Sequence, residues 1–97
     1  MTKKFWNDWK KRVGETYRID LFKSVEVNGE LYNGWYLLSH SFADDKIIKA
    51  KFNNDSVDLV IERHRWVISS PSHLHKEILY VTLERANIKS IKFNRIK

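Results

Sequence analysis

Four apolar residues near the start of the chain, Phe5, Trp6, Trp9 and Val13, fall within one arc of roughly 100° when each residue turns about 100° around an axis. The spacing predicts an amphipathic helix over 3–13, with Lys3, Lys4, Asn7, Asp8, Lys10, Lys11 and Arg12 on the remaining circumference. Thr2 suits the N-cap, and Gly14 suits the left-handed position that ends a helix. From Tyr17 the period changes to two. Tyr17, Ile19, Leu21, Val25 and Val27 share one face of a strand and Arg18, Asp20, Ser24 and Glu26 the other.

Asn28-Gly29 is the dipeptide that best tolerates positive φ at both centres of a type I′ turn, so strands 17–27 and 31–41 should pair as a hairpin. Trp35-Tyr36-Leu37-Leu38 is apolar on both faces, which predicts a covered central strand, and Gly34 marks a bulge or bend within it. Ile48, Ala50 and Phe52 alternate with Lys49 and Lys51 in a third strand, 46–53, and Asn53-Asn54-Asp55 turns it into a fourth, 56–69. In that fourth strand the apolar parity shifts from odd positions up to Ile61 to even ones at Trp66 and Ile68. A one-residue bulge within 62–65 would keep one buried face. Ser69 to His75 has the composition of an exposed loop, and two further strands are expected at 77–84 and 88–95.

One helix followed by about six short antiparallel strands joined by tight turns is an α+β pattern. A strongly bent sheet or small barrel with the helix across one open end is the first expectation, and a flatter sheet with the helix on one face is the second. The element order is that of SH3- and Sm-like barrels by analogy of architecture. The Sm signatures are absent: Leu38-Ser39-His40-Ser41 lacks the Asp and Met-Asn pattern, and Glu84 to Ile88 lacks the glycine. Fold analogy carries no function.

With 97 residues the chain is read as a single domain, 1–97, with room for one core and not two. It holds no cysteine, which excludes a disulfide framework and thiolate metal sites, and no apolar run approaches a membrane span or a signal peptide. The expected compartment is the cytoplasm, and no membrane partner is expected. The net charge of +6 is unevenly placed. Residues 1–14 carry five basic groups and one acid, 15–84 eight basic groups and eleven acids, and 85–97 five basic groups and no acid. The cationic excess therefore lies at the two ends, where it draws polyanions.

Catalytic chemistry finds little support. His73 and His75 point the same way if extended, but a metal needs a third ligand, and neither His64, Glu62 nor Glu77 stands at a ligand spacing that demands it. Ser39, His40 and Asp44, or Ser70 and His73, contain the residue types of a hydrolase without any recognised motif around them. Three glycines cannot build a phosphate-cradling loop. No enzyme activity and no cofactor are expected. The stronger signal is a nucleic-acid-binding surface made of Lys3, Lys4, Lys10, Lys11 and Arg12 on the helix with Lys89, Lys92 and Arg95 on the last strand, provided these two elements are neighbours. Arg63, Arg65 and Trp66 add a second contact point, with Trp66 the one tryptophan expected to be exposed. The alternative is a non-catalytic protein-interaction module, such as an inhibitor or regulator encoded by a phage or mobile element. Open strand edges also permit self-association unless lysines such as Lys49 and Lys51 blunt them.

Overall fold

A computed structural model describes residues 1–37, 43–68 and 71–93. One helix, α1 (Lys3–Arg12), precedes six strands: β1 (Thr16–Val27), β2 (Glu30–Tyr36), β3 (Ala43–Phe52), β4 (Ser56–Val67), β5 (His73–Glu84) and β6 (Ile88–Phe93). All the pairings are antiparallel, in two three-stranded sheets of order β2-β1-β6 and β3-β4-β5. The expected barrel is not present: among the described residues no ladder joins one sheet to the other, and the two are held by side chains instead. Arg95 and the end of the second expected strand lie outside the described residues.

The helix forms where the apolar arc requires it. Thr2 caps it by accepting from the Phe5 N–H at 3.2 Å. Gly14 does not terminate it in a left-handed conformation; Val13–Glu15 tightens into a 3-10 turn, and the Thr16 hydroxyl donates back to the Val13 carbonyl at 2.7 Å. Trp6 and Trp9 enter the core edge-on to one another and to Phe52 of β3, with centroids 5.1–5.7 Å apart. Each indole has a partner for its N–H, the Asn53 carbonyl for Trp6 and the Thr16 hydroxyl for Trp9.

The inner faces of the two sheets share a single core. Ile19, Leu21, Val27, Trp35, Ile88 and Ile91 come from one sheet, and Val57, Leu59, Ile61, Leu79, Val81 and Leu83 from the other. The first hairpin turns on Asn28 (φ 52°) and Gly29 (φ 83°), the two positive values a type I′ turn needs. β2 is an edge strand and not the covered central one: Trp35 points into the core, while the Tyr36 side is exposed. Gly34 sits beside a break in register, where β1 runs from Asp20 to Val25 while β2 runs from Gly34 to Tyr32. A Cβ there would lie 2.1 Å from the Ile19 carbonyl oxygen, so the position admits only glycine. Asn87 repairs the same kink from the other side, accepting from the Lys23 N–H at 2.8 Å and donating to the Lys23 carbonyl at 3.0 Å.

Two parity expectations are overturned together. The β4–β5 ladder runs without interruption from the Ser56–Glu84 pair to the Val67–His73 pair, so β4 contains no bulge. His73, Leu74 and His75 are strand residues in that ladder and not loop, because backbone pairing continues beyond the point where side chains leave the core. The bulge lies in β3, between Ile47 and Lys49. Ile47, Ala50 and Phe52 therefore pack inward, and Ile48 is displaced outward. Past Ile61 the inward position of β4 is taken by Arg63, while Trp66 and Ile68 stay on the outer face.

Candidate nucleic-acid interface

The two basic segments are neighbours. Phe5 of α1 packs on Phe93 of β6 with ring centroids 6.4 Å apart, and the Arg12 guanidinium lies over the same Phe93 ring at 4.0 Å. Farther along, Met1, Thr2 and Phe5 form a shallow groove with Lys89, Ser90 and Ile91 of β6. Lys89 and Lys92 are exposed, as are Lys3, Lys4, Lys10, Lys11 and Arg12. Among the described residues only Arg12 of this set is in an ion pair, with Glu15 at 3.3 Å. The remaining cations face solvent with little acidic charge to offset them, since Asp8 is the one acid on α1.

Lys92 continues this surface across the outer face of the first sheet. Its partner in register is Arg18, whose partner on the other side is Tyr36, so three adjacent strands place Lys92, Arg18 and Tyr36 in one row. Arg18 donates to Asp20 at 2.7 Å and to the Tyr36 hydroxyl, and its guanidinium stacks 4.5 Å from the Tyr36 ring. Burial works to raise the pKa of Asp20, but hydrogen bonds from Arg18 and Ser90 and the charges of Arg18 and Lys92 outweigh it, so the carboxyl lies below its ordinary value. The acid is thus already neutralised by protein partners.

The second group of expected contact residues stands elsewhere. Trp66 lies nine residues along β4 from Val57, the partner of Phe52 beneath the helix, which places it about 30 Å away at the far end of the sheet. Arg65 and Trp66 are both exposed there. Arg63 is not a surface group: it is 8% exposed, and it donates through Nε and Nη2 to both oxygens of Asp45, at 2.7 and 2.9 Å. Nη1 donates to the Tyr32 hydroxyl at 2.7 Å, and that hydroxyl donates on to Glu30 at 2.9 Å. Asp45 sits on β3 and Tyr32 on β2, so Arg63 fastens one sheet to the other and is withdrawn from ligand contact.

Sequence reasoning missed the lysines of β3. Lys46, Lys49 and Lys51 are all exposed on the outer face of the second sheet, opposite Glu62, Val60 and Asp58. Lys46 differs in parity from the other two, and only the bulge at Ile48 puts all three on one side. No local signal separates an Ile47-Ile48 pair that alternates from one that bulges.

His73 and His75 share one side of β5, and among the described residues no three His, Asp or Glu side chains come together to hold a metal ion. No helix among them is long and apolar enough to cross a membrane. No protein-family model, curated protein or solved structure matches the chain.

Proposed function

We propose that this is a small basic accessory protein of the cytoplasm that binds nucleic acid through a lysine-rich surface and carries out no catalysis. The supporting observation is the packing of α1 against β6 through Phe5 and Phe93, which joins two cationic segments from opposite ends of the chain into one surface. Lys4, Lys11, Lys89 and Lys92 on that surface reach solvent on flexible stems, a geometry suited to neutralising phosphates and unsuited to reading bases. Binding is then weakly sequence-dependent and falls steeply with salt, because each phosphate contact releases condensed counterions. Titration of labelled DNA and RNA at rising salt tests the reading. A log-log slope of several units supports it, and failure to bind any nucleic acid at low ionic strength ends it.

A protein-interaction module is the second reading, favoured by a specific observation at the far end of the second sheet. Trp66 and Leu74 are directly paired across β4 and β5, each about half exposed, with Ile68 beyond them. Such a cluster suits an apolar partner surface.

A further inference from the structure

We infer that the ligand is single-stranded nucleic acid, drawn along the lysines of β3 from the helix to Trp66, on which an unpaired base stacks. This rests on the reading of the protein as a nucleic-acid binder and adds the track, its direction and the strandedness of the ligand. The track begins where Lys10 of α1 lies 5.9 Å from the ring of Phe52, at the end of β3. Lys51, Lys49 and Lys46 follow on the outer face, and alternation along a strand puts successive members about 7 to 10 Å apart. Because β3 is an edge strand, its lysines border open solvent and not another strand.

Solvated lysines on a strand edge have an ordinary explanation, since they keep sheets from pairing edge to edge. Two features exceed it. The bulge at Ile48 turns the third lysine onto the same face, where edge protection would be served by either face. Two acids of that face also accept hydrogen bonds, Asp58 from Thr82 at 2.6 Å and Asn53 at 3.4 Å, and Glu62 from His64 at 3.0 Å and Lys76 at 3.2 Å, while Glu84 is exposed at the helix end of the same face. Among the described residues none of Lys46, Lys49 and Lys51 is in an ion pair, although Asp58, opposite Lys51, lies near enough to feel its charge. Trp66 then stands at the end of the row, on the same face of an unbroken ladder, with half of its surface open.

An aromatic side chain held on a strand can stack on a base only when the base is unpaired, whereas a lysine row alone does not distinguish one strand from two. The combination therefore selects single strands. It also predicts a length dependence: an oligonucleotide must bridge about 30 Å of strand to touch both Lys10 and Trp66.

The full-length protein, titrated with oligothymidylates of increasing length and with a duplex of matched length, tests the inference. The other three tryptophans are buried, so quenching of intrinsic fluorescence on binding reports Trp66. The expected results are tighter binding of the long single strand than of the duplex, and quenching that is lost in Trp66→Phe. Trp66→Ala should weaken single-strand binding about tenfold and leave duplex binding unchanged, with Trp66→Phe intermediate. A Lys46→Gln, Lys49→Gln, Lys51→Gln triple variant should lower the salt slope by about 2. If that triple variant keeps the full slope while Lys4→Gln, Lys11→Gln loses it, the track is wrong and the nucleic-acid reading stands. If neither DNA form binds at low salt and the protein instead captures apolar peptides through Trp66, both are wrong.

Discussion

Arg63 and Asp45 form a two-pronged ion pair in the seam between the sheets, with side chains only 10% and 7% exposed. Both guanidinium prongs and both carboxylate oxygens are used, and Tyr32 takes a third donor, so the pair is satisfied as a buried pair must be. Removing one partner strands the other charge. Arg63→Ala or Asp45→Ala should destabilise the fold by about 3–5 kcal/mol, whereas a double replacement by Met and Leu should recover most of that loss. Urea denaturation of the three variants checks this. A small loss in both single variants would show that neither the pair, which links β3 to β4 within one sheet, nor the Arg63 bond to Tyr32 of the other sheet matters much to stability.

Asp20 supplies the pH dependence on the acid side. Its native pKa lies below the ordinary value of 3.8, because hydrogen bonds and positive charge from Arg18, Ser90 and Lys92 overcome the effect of burial. A depressed carboxyl contributes stability at pH above its unfolded value, about 4, and loses that contribution as pH falls through the lower native value. Asp58 and Glu62 are shifted the same way, by hydrogen bonds from Thr82 and Asn53 and from His64 and Lys76. The wild-type protein should therefore lose stability progressively below about pH 4, and Asp20→Asn should flatten that acid limb while lowering stability at neutral pH. Chemical denaturation across the acid range to neutrality measures both, and identical acid limbs would contradict the assignment.

The helix, the Asn28-Gly29 turn and the strand count were legible because each is written in short-range spacing: an apolar arc at helical period, a dipeptide with positive φ, alternation between turns. The sheet order was not. Whether strands close into a barrel or divide into two sheets depends on which edges find partners, and alternation is identical in both. The parity change after Ile61 was visible, but its meaning was not. A bulge and an inward arginine leave the same trace in the sequence, and only Asp45 from the neighbouring strand and Tyr32 from the other sheet decide for the arginine. The adjacency of α1 and β6 is likewise a long-range fact, carried by Phe5 and Phe93.

Gly34 and Asn87 repair one kink in β1 from opposite sides, and the two repairs fail differently. Gly34→Ala introduces a Cβ 2.1 Å from the Ile19 carbonyl oxygen, so β1 and β2 must separate at this point. Asn87→Ala instead leaves the Lys23 N–H and carbonyl without their partner, at an exposed site that water can reach. The expected losses are more than about 2 kcal/mol for Gly34→Ala, in line with overpacking against backbone, and about 1 kcal/mol for Asn87→Ala. Thermal unfolding of both variants tests the ranking. The reverse order would mean that the kink is held by Asn87 and merely tolerated at Gly34.

If α1 and β6 present one surface to one ligand, charge changes on the two elements must add in a particular way. Each phosphate contact contributes about 0.9 to the salt slope on duplex DNA and about 0.7 on a single strand. Lys4→Gln with Lys11→Gln removes two cations from the helix, and Lys89→Gln with Lys92→Gln removes two from β6; all four are exposed, so folding should be little affected. A shared ligand requires each pair to lower the slope by about 1.5, and the quadruple variant by about 3. Two independent sites would show the effect of one pair only, with the stronger site masking the other, so that the quadruple variant matched one of the doubles. Fluorescence anisotropy at several salt concentrations distinguishes these outcomes, because the slope measures how many phosphates the protein neutralises, whereas a single affinity mixes that number with every other source of binding energy.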